Sequence, residues 1–364
     1  MEKGLKILMI GSDRKLFEDG SAVSERIKEY GKLVEELHVV VFTLKSLGLV
    51  EKHIAPNVWI YPTNSISRWL YPVDAVKIGR KIDATIITAQ DPFESGWAGL
   101  RLKKILKIPL EAQLHTDPFS SNFSGMLNNM RKVIMKKVAK SADAIRVVRP
   151  SLKTKIIAKY DIDENKISIL PIYIDRKRFY GEPKFNLHER FKSKYVVLTV
   201  SRLSKEKNIN IIISAMRKVK DAILVIVGDG PERVNLENMA QHQHLEVELP
   251  SVVFEGWQED LNSYYKTADL LVQASDFEGY GLSIVEAALC GLLSVSTPTG
   301  IAEDLDGVVK ANNTETFAER INYLLHHEEE RKGLGEKLKE AIKIDTETDF
   351  LTALKNNWEK LAKL

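Results

Sequence analysis

The sequence predicts an α/β fold of two successive doubly wound, Rossmann-like domains facing a cleft. Three observations carry that prediction. Near-continuous apolar runs of strand length alternate with longer segments of helical spacing. The alternation halts at a polar stretch, 175–194, and then starts afresh. The chain has 364 residues, enough for two domains that each bury their own core.

The first series opens at 5–10, a nearly all-apolar run followed at once by Asp13, Arg14 and Lys15. No small-residue cleavage site accompanies it, so it reads as a first strand and not as a signal peptide. Residues 20–37 set Val23, Ile27, Tyr30, Val34 and Leu37 on one helical face. Strands are expected at 38–43, 57–61, 84–88, 109–114, 143–148 and 167–174. The polar stretch 175–194 is expected to be a linker. The second series places strands at 195–200, 223–227, 252–254, 270–273 and 292–296. The tail from 314 onward is charged, poor in Gly and Pro, and reads as helical.

Composition narrows the function classes. Hydrophobic residues make up 44% and charged ones 28%, an ordinary globular balance. The single cysteine, Cys290, cannot form an internal disulfide, so a reducing, cytoplasmic setting is expected. No apolar run approaches the roughly 18 residues of a membrane span. A secreted mini-protein, an integral membrane protein, a fibrous protein and a disordered tail are not expected on these grounds. The net charge of +3 conceals a basic block: residues 100–160 hold 14 basic and 3 acidic side chains. Such a block suits an anionic membrane surface, a phosphorylated acceptor or nucleic acid, or is a solvated helical face. It lacks the interleaved aromatics of a nucleic-acid binder, so no nucleic-acid partner is expected. Within it, Met126, Met130, Ile134 and Val138 recur at spacing four, with Arg131, Lys132, Lys136, Lys137 and Lys140 around them. This is either a helix packed on the core or one that docks peripherally on anionic lipid at the inner membrane face. Asn122-Phe123-Ser124 matches a glycosylation acceptor pattern that a cytosolic chain would not use.

Three segments of the second series carry chemistry. Asp276-Phe277-Glu278-Gly279-Tyr280-Gly281-Leu282 joins a strand to a helix that runs on through Glu286 to Gly291. Its glycines let the backbone approach a ligand, and the free N–H groups at the helix start suit phosphate. One carboxylate can reach a sugar hydroxyl from the loop while the other bonds a ribose hydroxyl. The same pattern also fits a plain strand–helix turn with two unremarked glutamates. Ser201-Arg202-Leu203-Ser204-Lys205-Glu206-Lys207-Asn208 follows the first strand of this series. A guanidinium fork at Arg202 and a point charge at Lys207 suit a diphosphate, or form a solvated basic loop. Gly228-Asp229-Gly230-Pro231 is turn chemistry ahead of a helix.

In this order and spacing the three segments resemble family-4 glycosyltransferases, retaining enzymes of the GT-B fold that use nucleotide-sugar donors. The resemblance is best from about 195 to 300. It implies that Arg202 and Lys207 bind the donor diphosphate, that Glu278 holds donor-sugar hydroxyls, and that Glu286 holds the ribose. It implies backbone contacts to sugar and phosphate from Gly279, Tyr280, Gly281 and Leu282. The base would sit near Gly256 and Trp257. Gly20 and Ser21, after the first strand, take the place of the family's glycine-rich phosphate loop. His115, in Leu114-His115-Thr116-Asp117, is implied to lie near the reacting sugar, and Asp91 reads either as acceptor-pocket lining or as turn chemistry before Pro92. Asn208 stands where the family usually has glycine. On this reading residues 1–174 form an acceptor-binding domain and 175–345 a nucleotide-sugar-binding domain. A final helix at about 346–364 packs back onto the first.

The expected activity is transfer of a hexosyl group from a nucleotide diphosphate sugar to a hydroxyl, in glycan, glycolipid or cell-envelope synthesis. The acceptor is a sugar or a lipid-linked hydroxyl. No cofactor is required, and no metal site is expected. Asp304-Leu305-Asp306 lies past the nucleotide motifs and reads as a solvated turn, and no zinc-type spacing occurs. The competing readings are a nucleotide-sugar epimerase of the same fold and a non-catalytic nucleotide-sugar-binding protein. Free nucleotide diphosphate, an altered sugar, and binding without turnover would separate the three.

Overall fold

Apolar runs flanked by turn residues become central strands because both of their faces must be covered. A computed structural model describes residues 4–121, 123–241, 252–342 and 346–364. Asn122 of the glycosylation-type pattern lies outside the described residues. The chain divides into two compact units, Met1–Ile172 with Asp345–Leu364, and Tyr173–Ile344.

The first unit runs β1 (Lys6–Gly11), α1 (Ala22–Gly31), β2 (Glu36–Val41), β3 (Lys52–Ala55), β4 (Val58–Pro62), α2 (Tyr71–Gly79) and β5 (Ile86–Ala89). It continues with α3 (Glu94–Leu106), β6 (Leu110–Leu114), α4 (Met126–Ser141), β7 (Ala144–Val147), α5 (Pro150–Tyr160) and β8 (Ile167–Ile169). Its eight strands lie in the order β3-β4-β2-β1-β5-β6-β7-β8. Among the described residues only β3 is antiparallel to its neighbour. Strand order reverses between β1 and β5, the switch point where open α/β sheets receive ligands beyond their carboxyl ends.

The second unit runs α6 (Leu187–Phe191), β9 (Tyr195–Val200), α7 (Ile209–Met216), β10 (Ala222–Val227), α8 (Arg233–Gln241) and β11 (Val252–Gly256). Then come α9 (Leu261–Thr267), β12 (Leu270–Gln273), α10 (Leu282–Leu289), β13 (Ser294–Ser296), β14 (Val309–Lys310), α11 (Thr314–His326) and α12 (Glu328–Ala341). The sheet order β11-β10-β9-β12-β13-β14 puts its switch point between β9 and β12. Val197, Leu224 and Leu270 from the strands meet Ile213, Phe317 and Ile321 from the helices in its core.

The last helix, α13 (Glu347–Ala362), belongs to the first unit. A capping box of Thr346 and Asp349 starts it. Its Trp358 is fully buried and meets the Tyr30 ring edge-on, with centroids 6.0 Å apart.

The structure departs from the sequence expectation at several places. The strand expected at 167–174 ends at Ile169. Helix α1 stops at Gly31, and Leu37 lies in β2. Pairing wins there: Glu35 N–H donates to Leu5 O, and Glu36 takes register with Lys6. The short strands β3 and β14 carry too few apolar residues to stand out in the sequence. Residues 175–194 are no free linker. Phe179 and Leu187 are buried, and the Phe185 ring meets Tyr264 edge-on at 5.0 Å. Lys184 N–H donates to Ser263 Oγ at 2.8 Å, and Asn262 Nδ2 donates to Gly181 O at 2.9 Å. The polar composition concealed these aromatic anchors.

Candidate active site

At the carboxyl edge of the second unit, the loops after β9 and β12 are stitched together. Asp276 N–H donates to Glu206 O at 2.8 Å, and Asn208 Nδ2 donates to Asp276 Oδ1 at 2.5 Å. Lys207 Nζ then reaches Glu278 Oε1 at 2.6 Å. Neither side chain is freely solvated, so the attraction is screened less than at an open surface.

Glu278 is held further by protein donors. Gln273 Nε2 donates to the same Oε1 at 2.9 Å and Ser275 Oγ at 2.7 Å. Ser283 Oγ donates to Gln273 Oε1 at 2.8 Å, which orients that amide. Three donors therefore converge on one oxygen, and Oε2 has no hydrogen-bond partner among the described residues. Glu286 has the same asymmetry. Tyr265 Oη donates to its Oε2 at 2.9 Å, while Oε1 has no partner among the described residues. Burial raises the Glu286 carboxyl above its ordinary range, against the lowering effect of the Tyr265 bond and the Arg178 charge. Each glutamate thus has one oxygen fixed by protein and one left over.

Arg202 is exposed, and its guanidinium forms no ion pair or hydrogen bond among the described residues; its backbone carbonyl accepts from Ser204 N–H at 3.0 Å. Gly281, at φ 97°, caps α10 in a left-handed conformation, and the first N–H groups of that helix start at Leu282. Gly300, at φ 59°, backs this loop; a Cβ there would meet Glu278 Cβ and Tyr280 O, each at 2.6 Å. Gly256 ends β11 at φ 71°, with its carbonyl accepting from Gly228 N–H at 2.7 Å. Trp257 follows, 69% exposed. Asn208 adopts φ 46°, ψ 39°, the left-handed region that glycine fills without strain and asparagine tolerates.

In the first unit, Gly20 (φ 72°) and Ser21 precede α1. The Ser21 hydroxyl caps that helix by accepting from Ser24 N–H at 3.1 Å, and it donates to Lys15 O at 2.6 Å. Asp91 engages both oxygens at the start of α3, with Phe93 N–H, Ser95 N–H and Ser95 Oγ as donors. These bonds tie it to the start of that helix. His115 directly follows β6; its Nε2 lies 2.8 Å from Gln113 Oε1. Burial and the Arg146 and Arg26 charges press its pKa down to about 3, so the ring is neutral. Asp304 and Asp306 belong to no group of three or more metal-binding side chains among the described residues.

Two family models meet on this chain. The model described as Glycosyltransferase Family 4 matches residues 31–178, and the one described as Glycosyl transferases group 1 matches 182–341. The chain belongs to glycosyltransferase family 4. This glycosyltransferase is 24% identical over 341 residues to the N-acetyl-alpha-D-glucosaminyl L-malate synthase of Bacillus anthracis, covering 86% of this chain and 87% of that protein. It is 30% identical over 237 residues to an alpha-monoglucosyldiacylglycerol synthase of Streptococcus pneumoniae, covering 60% of this chain and 52% of that one. In fold it is similar to HepE of Anabaena, solved with UDP-glucose, at a TM-score of 0.76 and 20% identity, covering 99% and 100% of the two chains.

The residues that orient the family motif escaped the sequence reading. Gln273, Ser275 and Ser283 are ordinary polar residues whose role appears only when the β12 loop turns back on itself. In the enzyme's first unit, Thr88, Glu111 and Gln113 were missed in the same way. The available signal was the strict alternation in Leu110-Glu111-Ala112-Gln113-Leu114-His115, polar residues in a strand with a neighbour on either side.

Proposed function

We propose that this glycosyltransferase moves a hexosyl group from a nucleotide diphosphate sugar to a hydroxyl acceptor, with retention of anomeric configuration. The observation that carries the reading is the Lys207–Glu278 pair at the β9–β12 switch point, beside an uncommitted Arg202. Arg202 and Lys207 take the donor diphosphate. Glu278 accepts hydrogen bonds from donor-sugar hydroxyls through Oε2, and Glu286 accepts from the ribose through Oε1. Gly279, Tyr280, Gly281 and Leu282 line sugar and phosphate with backbone groups, and Gly256 and Trp257 flank the base. Gly20 and Ser21, at the start of α1, approach phosphate, and His115 meets the transferred sugar.

As the bond from the anomeric carbon to phosphate oxygen breaks, its electron pair leaves with the diphosphate. Arg202, Lys207 and the N-terminus of α10 stabilise that growing charge without reorganising. The acceptor oxygen forms the new bond on the face the diphosphate leaves. Its proton passes to the departing phosphate oxygen, so no separate general base is needed.

The same proposal extends to the acceptor. Among the described residues no helix is long and apolar enough to cross a membrane. Helix α4 buries only Met135, Val138 and Ala139, whereas Met126, Leu127, Met130 and Val133 are exposed, Met126 at 89%. The segment leading into α2 exposes Ile66 and Trp69. Both helices start at the carboxyl edge of the same sheet, and basic side chains crowd α4. An apolar rim among cations suits an anionic bilayer at the cytoplasmic face and a lipid-linked acceptor. The relative from Streptococcus pneumoniae, whose name describes a glycolipid synthase, supports this choice.

A panel of nucleotide sugars, with and without lipid acceptors, tests the reaction by mass spectrometry. Transfer accompanied by free nucleotide diphosphate is expected, with the anomeric centre retained by NMR. An altered donor sugar without transfer would make it an epimerase, and binding without turnover a carrier.

A further inference from the structure

Strand β6 carries a row of buried polar side chains on one face. Alternation sends Leu110, Ala112 and Leu114 to one side and Glu111 and Gln113 to the other, with His115 continuing the row past the strand end. The neighbouring strands add to it in register: Thr88 stands opposite Glu111, and Arg146 opposite Gln113. Glu111, Gln113, Thr88 and Arg146 are all buried. Polar groups withdrawn from water destabilise a sheet unless each is partnered, so the row demands a role.

The bonds in the row have only one consistent direction. Thr88 Oγ lies 2.7 Å from Glu111 Oε2, and the carboxylate accepts its proton. With that proton committed, Thr88 Oγ accepts from Gln113 Nε2 at 2.7 Å. The second N–H of the same amide faces Glu111 Oε2 at 3.3 Å. A flipped amide would set oxygen against a carboxylate, so Gln113 Oε1 must face His115. An amide oxygen only accepts, and His115 Nε2, at 2.8 Å, therefore carries the proton. Arg146 Nε, 4.0 Å from Glu111 Oε2, holds the carboxylate end of the row electrostatically.

We propose that Thr88, Glu111 and Gln113 are positioning residues that fix His115 as its Nε2–H tautomer, leaving Nδ1 as a lone-pair acceptor for a hydroxyl of the transferred sugar. The substrate class follows: the donor sugar must present an O–H to the ring, and its deoxy or O-methyl analogue loses that bond. The burial that keeps the ring neutral serves the same end, because an imidazolium has no lone pair to offer. This rests on the assignment of His115 to the reacting sugar. The tautomer claim itself does not.

Long-range proton–nitrogen NMR of the intact enzyme, assigned with His115→Asn, reads the ring directly. A protonated Nε2 and a bare Nδ1 at neutral pH are expected; a protonated Nδ1 or a doubly protonated ring overturns the proposal. Gln113→Leu is expected to mix the tautomers and lower kcat roughly ten-fold with KM little changed. Gln113→Glu, which still accepts from Nε2, is expected to keep the Nε2 proton. Thr88→Val disturbs the row without touching the ring and serves if Gln113→Leu fails to fold. An unchanged ring spectrum in both Gln113→Leu and Thr88→Val overturns the positioning role. Full activity of His115→Asn with the expected wild-type spectrum instead overturns the assignment of His115 to the sugar.

Discussion

Lys207 and Glu278 are 71 residues apart in the chain and 2.6 Å apart in space. The ammonium is one of three donors on a single carboxylate oxygen, so the pair is a fixed feature of the second unit and not a surface contact. Fixed charges of this kind stabilise a leaving diphosphate best, because they need not reorient as the bond breaks.

Glu278→Gln keeps the shape of the side chain and removes its charge. Transfer should fall on the order of 100-fold, as for loss of one preorganised electrostatic partner, while the circular dichroism spectrum is retained. Arg202→Ala, which disturbs no bond among the described residues, should lower activity to a similar degree without changing Tm. Nucleotide release under saturating donor measures both, and full activity in either variant would remove that residue from the site.

Asn208 sits at φ 46°. Replacement by glycine should be neutral in backbone terms, with the lost Asp276 bond its only debit. Replacement by valine should destabilise the second unit by about 1–2 kcal/mol, the cost of a left-handed L-residue. Chemical denaturation read as a shift of midpoint distinguishes them; equal midpoints would contradict the geometry.

Acid should weaken the first unit through His115. Its pKa in the folded chain, about 3, lies below the ordinary 6.5. The unfolded chain therefore takes up the proton first as pH falls. Stability is complete above about pH 6.5 and is lost below it, by about 1.4 kcal/mol per pH unit until the folded ring titrates. His115→Asn should flatten that slope in denaturation between pH 7.5 and 5.

Binding to vesicles of phosphatidylglycerol and phosphatidylcholine should follow the exposed half of α4. Met126→Ser with Met130→Ser should reduce co-sedimentation severalfold, and neutral vesicles should bind weakly at any salt. Absence of binding to acidic vesicles at both low and moderate salt would exclude docking.

Trp358→Ala should cost about 3–5 kcal/mol, the usual range for a buried aromatic, because α13 is part of the first unit's core. Urea midpoints measure it, and a change under 1 kcal/mol would place the helix outside that core.

Period and punctuation made much of the fold legible. Strands β9 and β12 fall where the apolar runs at 195–200 and 270–273 put them, because a buried parallel strand needs unbroken apolar sequence. Short edge strands such as β14 have no such signature, and 175–194 looked free because Phe179 and Leu187 are single anchors in polar surroundings. The family signature was legible as well: Arg202, Lys207, Glu278 and Glu286 are local patterns of residue type and spacing. The amino-acid sequence alone determined which chemical groups are present and which strands carry them. Only tertiary structure decided which oxygen of Glu278 is bound, which nitrogen of His115 holds the proton, and that Gln273 and Gln113 do the orienting. Those are matters of direction between residues distant in the chain, and hydrogen bonds fix direction only once the strands are paired in register.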